Sequence, residues 1–169
     1  MDLRSLRIQV SSLTREEFAA EHPYFYLVVN PRPDESASSY WTVAVDVARK
    51  PARPLLSDLE LVTVAKAAQN PYPDRISCGR ARNCDVVLRY SSVSKLHAHF
   101  RKLDYGLLEL VDLGSQNGTM VNGRRLEPNQ PERVVAGDNL AFGAITAQLV
   151  DAEILFELIR QPSMPAGPA

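Results

Sequence analysis

All eight glycines of this 169-residue chain lie at or after Gly79, and no proline occurs between Asp74 and Glu127. A stretch that is rich in the residue suited to sharp turns, and free of the residue that cannot donate to a ladder, predicts short strands joined by tight reversals. The apolar runs agree. Residues 75–78, 86–88, 98–103, 107–111, 119–121 and 139–149 read as strands, separated by turn residues at spacings suited to a β-sandwich. Asn122-Gly123, between Val121 and Arg124, is a two-residue hairpin signal because both residues tolerate positive φ.

The flanks read differently. Thr14-Arg15-Glu16-Glu17 has the capping-box pattern, and Pro23 ends the short helix it begins. Residues 25–29 and 41–47 follow as strands, the second alternating through Trp41, Val43, Val45 and Val47. A polar loop over 30–39 separates them, 49–54 is a connector, and 59–66 is a further strand. Near the other end Ile154, Leu155, Leu158 and Ile159 recur at helical spacing, with Asp151 as the cap. The period predicts a terminal helix packed on the sandwich, followed by a frayed tail.

Charge excludes some functions and localises another. Nineteen basic against twenty acidic side chains give a net charge of −1, which argues against nucleic acid or an anionic membrane surface as a partner. The sum hides opposed segments: residues 1–74 carry −2, residues 75–133 carry +4 and residues 134–169 carry −3. The basic middle lacks an interleaved aromatic series for stacking bases. No run approaches the roughly 20 apolar residues of a membrane span, and Met1-Asp2-Leu3-Arg4 does not open a secretory signal, so a cytoplasmic protein is expected. Cys78 and Cys84 have no second pair and fit neither a disulfide framework nor a zinc site. They are read as reduced structural thiols, and no metal or cofactor is expected.

Three pieces of the basic middle carry chemistry. They are Gly79-Arg80 with Asn83 and Asp85 following, Ser94-Lys95-Leu96-His97, and the run from Asp112 through Gly114-Ser115-Gln116-Asn117-Gly118-Thr119 to Asn122-Gly123. Each falls where one strand ends and another begins. Together they place a guanidinium fork, a hydroxyl, an ammonium and amide side chains on loops, a set matched to a dianionic phosphate with its acceptor oxygens. Taken singly, Arg80 is a solvated turn residue, Ser94 a local backbone cap and Asn117-Gly118 a tight turn. The combination points to phosphate.

The three pieces, in this order, resemble a forkhead-associated (FHA) domain, a phosphothreonine-recognition module. The motif match covers Gly79 to Gly123. The resemblance implies an all-β fold: a sandwich of two mostly antiparallel sheets, here with a short amino-terminal helix and strand extension and a carboxy-terminal helix. It divides the chain into an extension over 1–54 packed on the domain, the FHA domain over 55–150, a helix over 151–160 and a flexible tail over 161–169. It further implies a noncatalytic module that binds a phosphothreonine-containing partner, such as a serine/threonine kinase or its substrate. By position, Arg80 matches the phosphate-gripping arginine, and Ser94 the serine whose hydroxyl and amide meet the phosphate. Lys95 sits where a polar or basic residue assists, and Asn117 matches the asparagine that bonds the peptide backbone. Gln116 occupies a position where threonine or another polar residue is common. His97 matches a histidine that braces the loop, while Gly79, Gly118 and Asn122 are assigned structural support. His99 alternates with His97 across a strand and faces the other way.

Two other readings compete. Ser94 as nucleophile with His97 as base, aided by Asp112, would make an enzyme, but no nucleophile-elbow pattern is present and Gly79-Arg80 would go unexplained. An FHA fold could also serve as a phosphate-independent assembly surface, presented by Phe25, Tyr26, Tyr40 and Trp41 or by the terminal helix. The oligomeric state is open.

Overall fold

In the computed structural model, which describes residues 3–31 and 56–161, the glycine-punctuated stretch folds into short strands as its turn chemistry predicts. In chain order the elements are α1 (Leu3–Ser12), α2 (Arg15–Glu21), β1 (Phe25–Asn30), β2 (Glu60–Val64), β3 (Ile76–Gly79), β4 (Val86–Val87), β5 (Ala98–Lys102) and β6 (Leu108–Asp112). There follow β7 (Thr119–Val121), β8 (Arg124–Arg125), β9 (Pro131–Val134), β10 (Asn139–Phe142), β11 (Ile145–Val150) and α3 (Ala152–Arg160). One sheet has the order β2-β1-β11-β10-β7-β8 and the other β4-β3-β5-β6-β9. All pairings among the described residues are antiparallel except β3 with β4. The expected all-β sandwich is the fold observed.

β1 explains how the layers stack. Within Phe25–Asn30, residues 25–29 are a continuous apolar run, the mark of a strand covered on both faces. Leu27 and Val29 point between the sheets, where they join Val64, Phe100, Leu108, Leu110, Leu140, Phe142 and Leu149 in the main core. Tyr26 and Val28 point outward beneath a second cluster formed by Leu6 and Val10 of α1, Phe18 of α2 and Leu155, Phe156 and Ile159 of α3. The protein is therefore layered as helices on sheet on sheet. Phe25–Asn30, grouped by sequence with the extension, is an interior strand held between β2 and β11. Phe25 and Tyr26 are thereby used in packing, while Tyr40, Trp41 and the strand expected over 41–47 lie outside the described residues.

The caps form as the sequence specifies. The Thr14 side chain accepts from the Glu17 amide at 3.3 Å and Glu17 accepts from the Thr14 amide at 2.8 Å, closing the capping box of α2. Asp151 accepts from the Ile154 amide at 2.9 Å at the start of α3. Asn122 (φ 49°) and Gly123 (φ 81°) make the two-residue β7–β8 hairpin.

Three elements differ from the reading of the sequence. The single strand expected over 139–149 is a hairpin, turned at Gly143-Ala144 with Gly143 at φ 60°, and Phe142 pairs with Ile145. Alternation runs unbroken through this turn and conceals it, although glycine at the first position of a two-residue reversal is a recognised signal. β9 starts at a proline, which is tolerated because β9 is the edge strand beside β6. α1 was not expected, although Leu3, Leu6 and Val10 recur at helical spacing. Cys78 and Cys84 are free, buried thiols, and burial pushes both upward in pKa. No helix among the described residues is long and apolar enough to cross a membrane.

Candidate functional site

Strand register brings the three motifs to one end of the sandwich. Cys78 pairs with Ala98 and Ala98 with Asp112, so the residues just beyond each strand end emerge side by side. Gly79 makes the close approach possible. A Cβ built on it would lie 2.3 Å from the Lys95 carbonyl oxygen, and that oxygen accepts from the Ala81 amide at 3.0 Å and from the Cys84 thiol at 3.3 Å. The adjacent Arg80 amide donates to the Ser94 carbonyl at 2.9 Å. The loop carrying Ser94 and Lys95 is thus laid directly along the end of β3.

His97 is fully buried, and both its ring nitrogens are committed to the loops. Nδ1 accepts the Ser94 amide at 3.1 Å, which leaves the proton on Nε2, and Nε2 donates to the Gly118 carbonyl at 3.0 Å. Its ring meets Phe142 edge-on at 5.7 Å. Burial lowers the pKa of His97, opposed by the bond to Gly118 and by the charge of Asp112, and so favours the neutral ring that this arrangement needs. The Gly143 amide also donates to the Gly118 carbonyl, at 2.9 Å, tying in the β10–β11 turn. Because Nδ1 takes the Ser94 amide and not its hydroxyl, the Ser–His–Asp nucleophile arrangement is not formed. The same bond removes the Ser94 amide as a donor to any ligand and leaves its hydroxyl for that role.

The loop after β6 is wound around a carboxylate. Asp112 is 1 % exposed and accepts from the Gly114 amide at 2.9 Å, the Ser115 amide at 3.0 Å, the Ser115 hydroxyl at 2.5 Å and the Thr119 hydroxyl at 2.6 Å. Burial alone would raise its pKa; the bonds from Ser115 and Thr119 outweigh that and hold it low. The turn so formed presents the Gln116 amide to the Ser94 hydroxyl oxygen at 3.1 Å and lets Asn117 Nδ2 donate to the Ser92 carbonyl at 2.9 Å. Gly118 at φ 85° completes the bend. Asp85 does the same for the neighbouring loop: it accepts from the Ala67 and Ser77 amides, both at 2.7 Å, and from the Ser77 hydroxyl at 3.0 Å, with Lys66 Nζ at 3.5 Å.

Arg80, Ser94, Gln116 and Asn117 therefore stand in one hydrogen-bonded cluster. Arg80 Nε donates to the Val93 carbonyl at 3.1 Å, which orients the guanidinium while leaving its two terminal nitrogens without a partner among the described residues. Lys95 is exposed beside it. Acids and donors are segregated, since Asp85 and Asp112 face inward and are consumed by donors. Lys66, Arg75, Arg101 and Arg124 pair with Asp85, Asp74, Glu109 and Glu132, whereas Arg80 and Lys95 ion-pair with no acid among the described residues. An exposed array of donors without acids is suited to an anion. Asn122 lies behind the array: its side chain donates to Asp138 at 3.0 Å and accepts from the Asn139 amide at 2.9 Å, which fixes the hairpin to β10.

Sequence reasoning missed the organising role of Asp112 and Asp85, and it gave Ser92 and Arg125 no individual role. The signal for Asp112 was present as Asp-x-Gly-Ser, an Asx-turn pattern. Ser92 and Arg125 reach the site only through tertiary contacts, Ser92 through its carbonyl and Arg125 by lying against Gly118.

A 67-residue stretch is 42 % identical to the oxoglutarate dehydrogenase inhibitor of Corynebacterium diphtheriae, covering 40 % of this chain and 44 % of that protein. An 81-residue stretch is 37 % identical to an Arabidopsis thaliana homologue of the protein phosphatase 1 regulatory inhibitor subunit, covering 43 % of this chain and 22 % of that one. The chain thus spans less than half the length of these relatives. Among solved structures, the amino-terminal FHA domain of Saccharomyces cerevisiae Rad53p, in complex with a phosphothreonine peptide, aligns over 80 % of this chain and 98 % of that one at 16 % identity and a TM-score of 0.49. Residues 76–143 match the FHA domain family.

Proposed function

We propose that this chain is a noncatalytic reader of phosphothreonine, recruiting a partner that a serine/threonine kinase has marked. The observation that carries the reading is the Arg80 guanidinium, oriented through Nε on the Val93 carbonyl, free of acids and clustered with the Ser94 hydroxyl. Arg80 supplies the fork, Ser94 an O–H donor and Lys95 a mobile charge to one phosphate. Asn117, held by its Nδ2 on Ser92, offers its amide oxygen to the peptide backbone next to the phosphothreonine, and Gln116 lines the same rim. His97 and Gly118 hold the loops without touching ligand. The kinase or one of its substrates is the fitting partner, met in the cytoplasm.

The test is calorimetric titration with three versions of one peptide carrying phosphothreonine, phosphoserine or threonine. Tight binding of the first, weaker binding of the second and none of the third is expected. Arg80→Ala, checked for folding by circular dichroism, should weaken the phosphothreonine peptide by about 2 to 4 kcal/mol, since each charge-assisted bond contributes about 1.5 to 3 kcal/mol. Equal affinity for all three peptides, or for Arg80→Ala and the parent, refutes the assignment.

A further inference from the structure

β8 carries two successive arginines, and strand alternation sends them to opposite faces. Arg124 is neutralised by an ion pair with Glu132 of β9. Arg125 turns the other way and lies flat on Gly118: a Cβ placed on that glycine would come within 2.7 Å of Arg125 Cζ, 2.8 Å of Nη2 and 3.0 Å of Nε. A glycine at this position is what gives the guanidinium plane room to rest there. Gly118 directly follows Asn117 in sequence, and its carbonyl is held by His97, so the Arg125 head group is positioned against the rigid rim of the candidate site. Arg125 is exposed and ion-pairs with no acid among the described residues. The loop-system carboxylates Asp112 and Asp85 are enclosed by their own donors.

A fixed cation with no internal counter-ion, next to the residue assigned to the peptide backbone, makes a second point of charge selection. We infer that Arg125 selects phosphothreonine peptides that carry an aspartate or glutamate close to the phosphorylated residue, on the side that passes Gly118. This rests on the phosphopeptide reading above and adds to it the chemistry of the flanking sequence. The carboxylate meets a planar donor fork whose head group already rests on Gly118, so less side-chain freedom is lost than at an unsupported arginine.

The experiment is an affinity scan with a phosphothreonine peptide of neutral flanks, into which a single glutamate, alanine or lysine is placed at each nearby position. The parent protein should favour glutamate at one position by about three- to tenfold over alanine, with lysine disfavoured, as fits a solvent-exposed bidentate pair. Arg125→Gln should abolish that preference and leave the neutral peptide within about twofold, whereas Arg124→Gln should keep it. Arg125→Glu should reverse it, so that lysine is favoured at the same position, and this reversal separates lost charge from lost packing. A flat scan in the parent, or a preference that survives Arg125→Gln, overturns the inference while phosphothreonine dependence and the Arg80 effect remain intact. Loss of phosphothreonine dependence itself overturns the underlying reading and this one together.

Discussion

Replacing Asp112 with asparagine removes one charge and almost no volume, so its effect isolates what the carboxylate does for the loop. Four donors converge on it, two backbone amides on Oδ2 and two hydroxyls on Oδ1. A hydrogen bond to a charged acceptor contributes about 1.5 to 3 kcal/mol, against about 0.5 to 1.5 kcal/mol for a neutral one. An asparagine that keeps its carbonyl on the Gly114 and Ser115 amides loses roughly 1 to 1.5 kcal/mol at each. Its NH2 then faces the Ser115 and Thr119 hydroxyls, which can rotate to accept, so those bonds weaken but survive. The sum is a destabilisation of about 2 to 4 kcal/mol, and Asp112→Ala should exceed it because buried donors are left without an acceptor. Urea unfolding at neutral pH reads this as a lower midpoint at an unchanged slope.

The same carboxylate has a pH signature. Its folded pKa is held below the unfolded value of about 3.9, so its contribution is fully present above that pH and is lost as pH falls through the folded value. Asp85 is also held low, its amide and hydroxyl bonds outweighing burial, and acts in the same window. The measurement is therefore the difference between the parent and Asp112→Asn, which should narrow as the pH drops below about 4. An Asp112→Asn protein with the parent's midpoint and the parent's acid slope would show that the four bonds do not hold the loop.

Other consequences follow from neighbouring contacts. Gly79→Ala puts a methyl group into the Lys95 backbone, with no flexible side chain to yield; a loss of about 1 to 3 kcal/mol in thermal or urea unfolding is expected, together with weaker phosphopeptide binding. Burial holds the folded pKa of His97 below the unfolded value of about 6.5, so stability should decline as pH falls from that value, where the unfolded chain takes up a proton that the fold resists. His99 is lowered as well, by burial and then by Arg75 and Arg101, so the contribution of His97 is read as the part of the decline that disappears in His97→Gln. Asp151→Ala removes the cap of α3 and should cost about 1 kcal/mol by thermal melting, with phosphopeptide affinity unchanged because α3 packs on the far layer.

Local chemistry made much of this protein legible from its sequence. Capping boxes, positive-φ turns and short apolar runs act within a few residues, so α2, α3, the Asn122-Gly123 hairpin and β3 to β7 could be read directly. The motif positions likewise name Arg80, Ser94, Gln116 and Asn117 before any fold is seen. What tertiary structure decided is how distant segments satisfy one another. β1 is an interior strand because helices cover one face and the second sheet covers the other, and no pattern within residues 25–30 says which strands flank it. The Ser94 amide goes to His97 and not outward, the Asp112 carboxylate closes a loop, and Arg125 rests on Gly118. The first two follow from buried polar groups needing partners and the third from the room a glycine leaves, and which group is near enough depends on how the strands are paired.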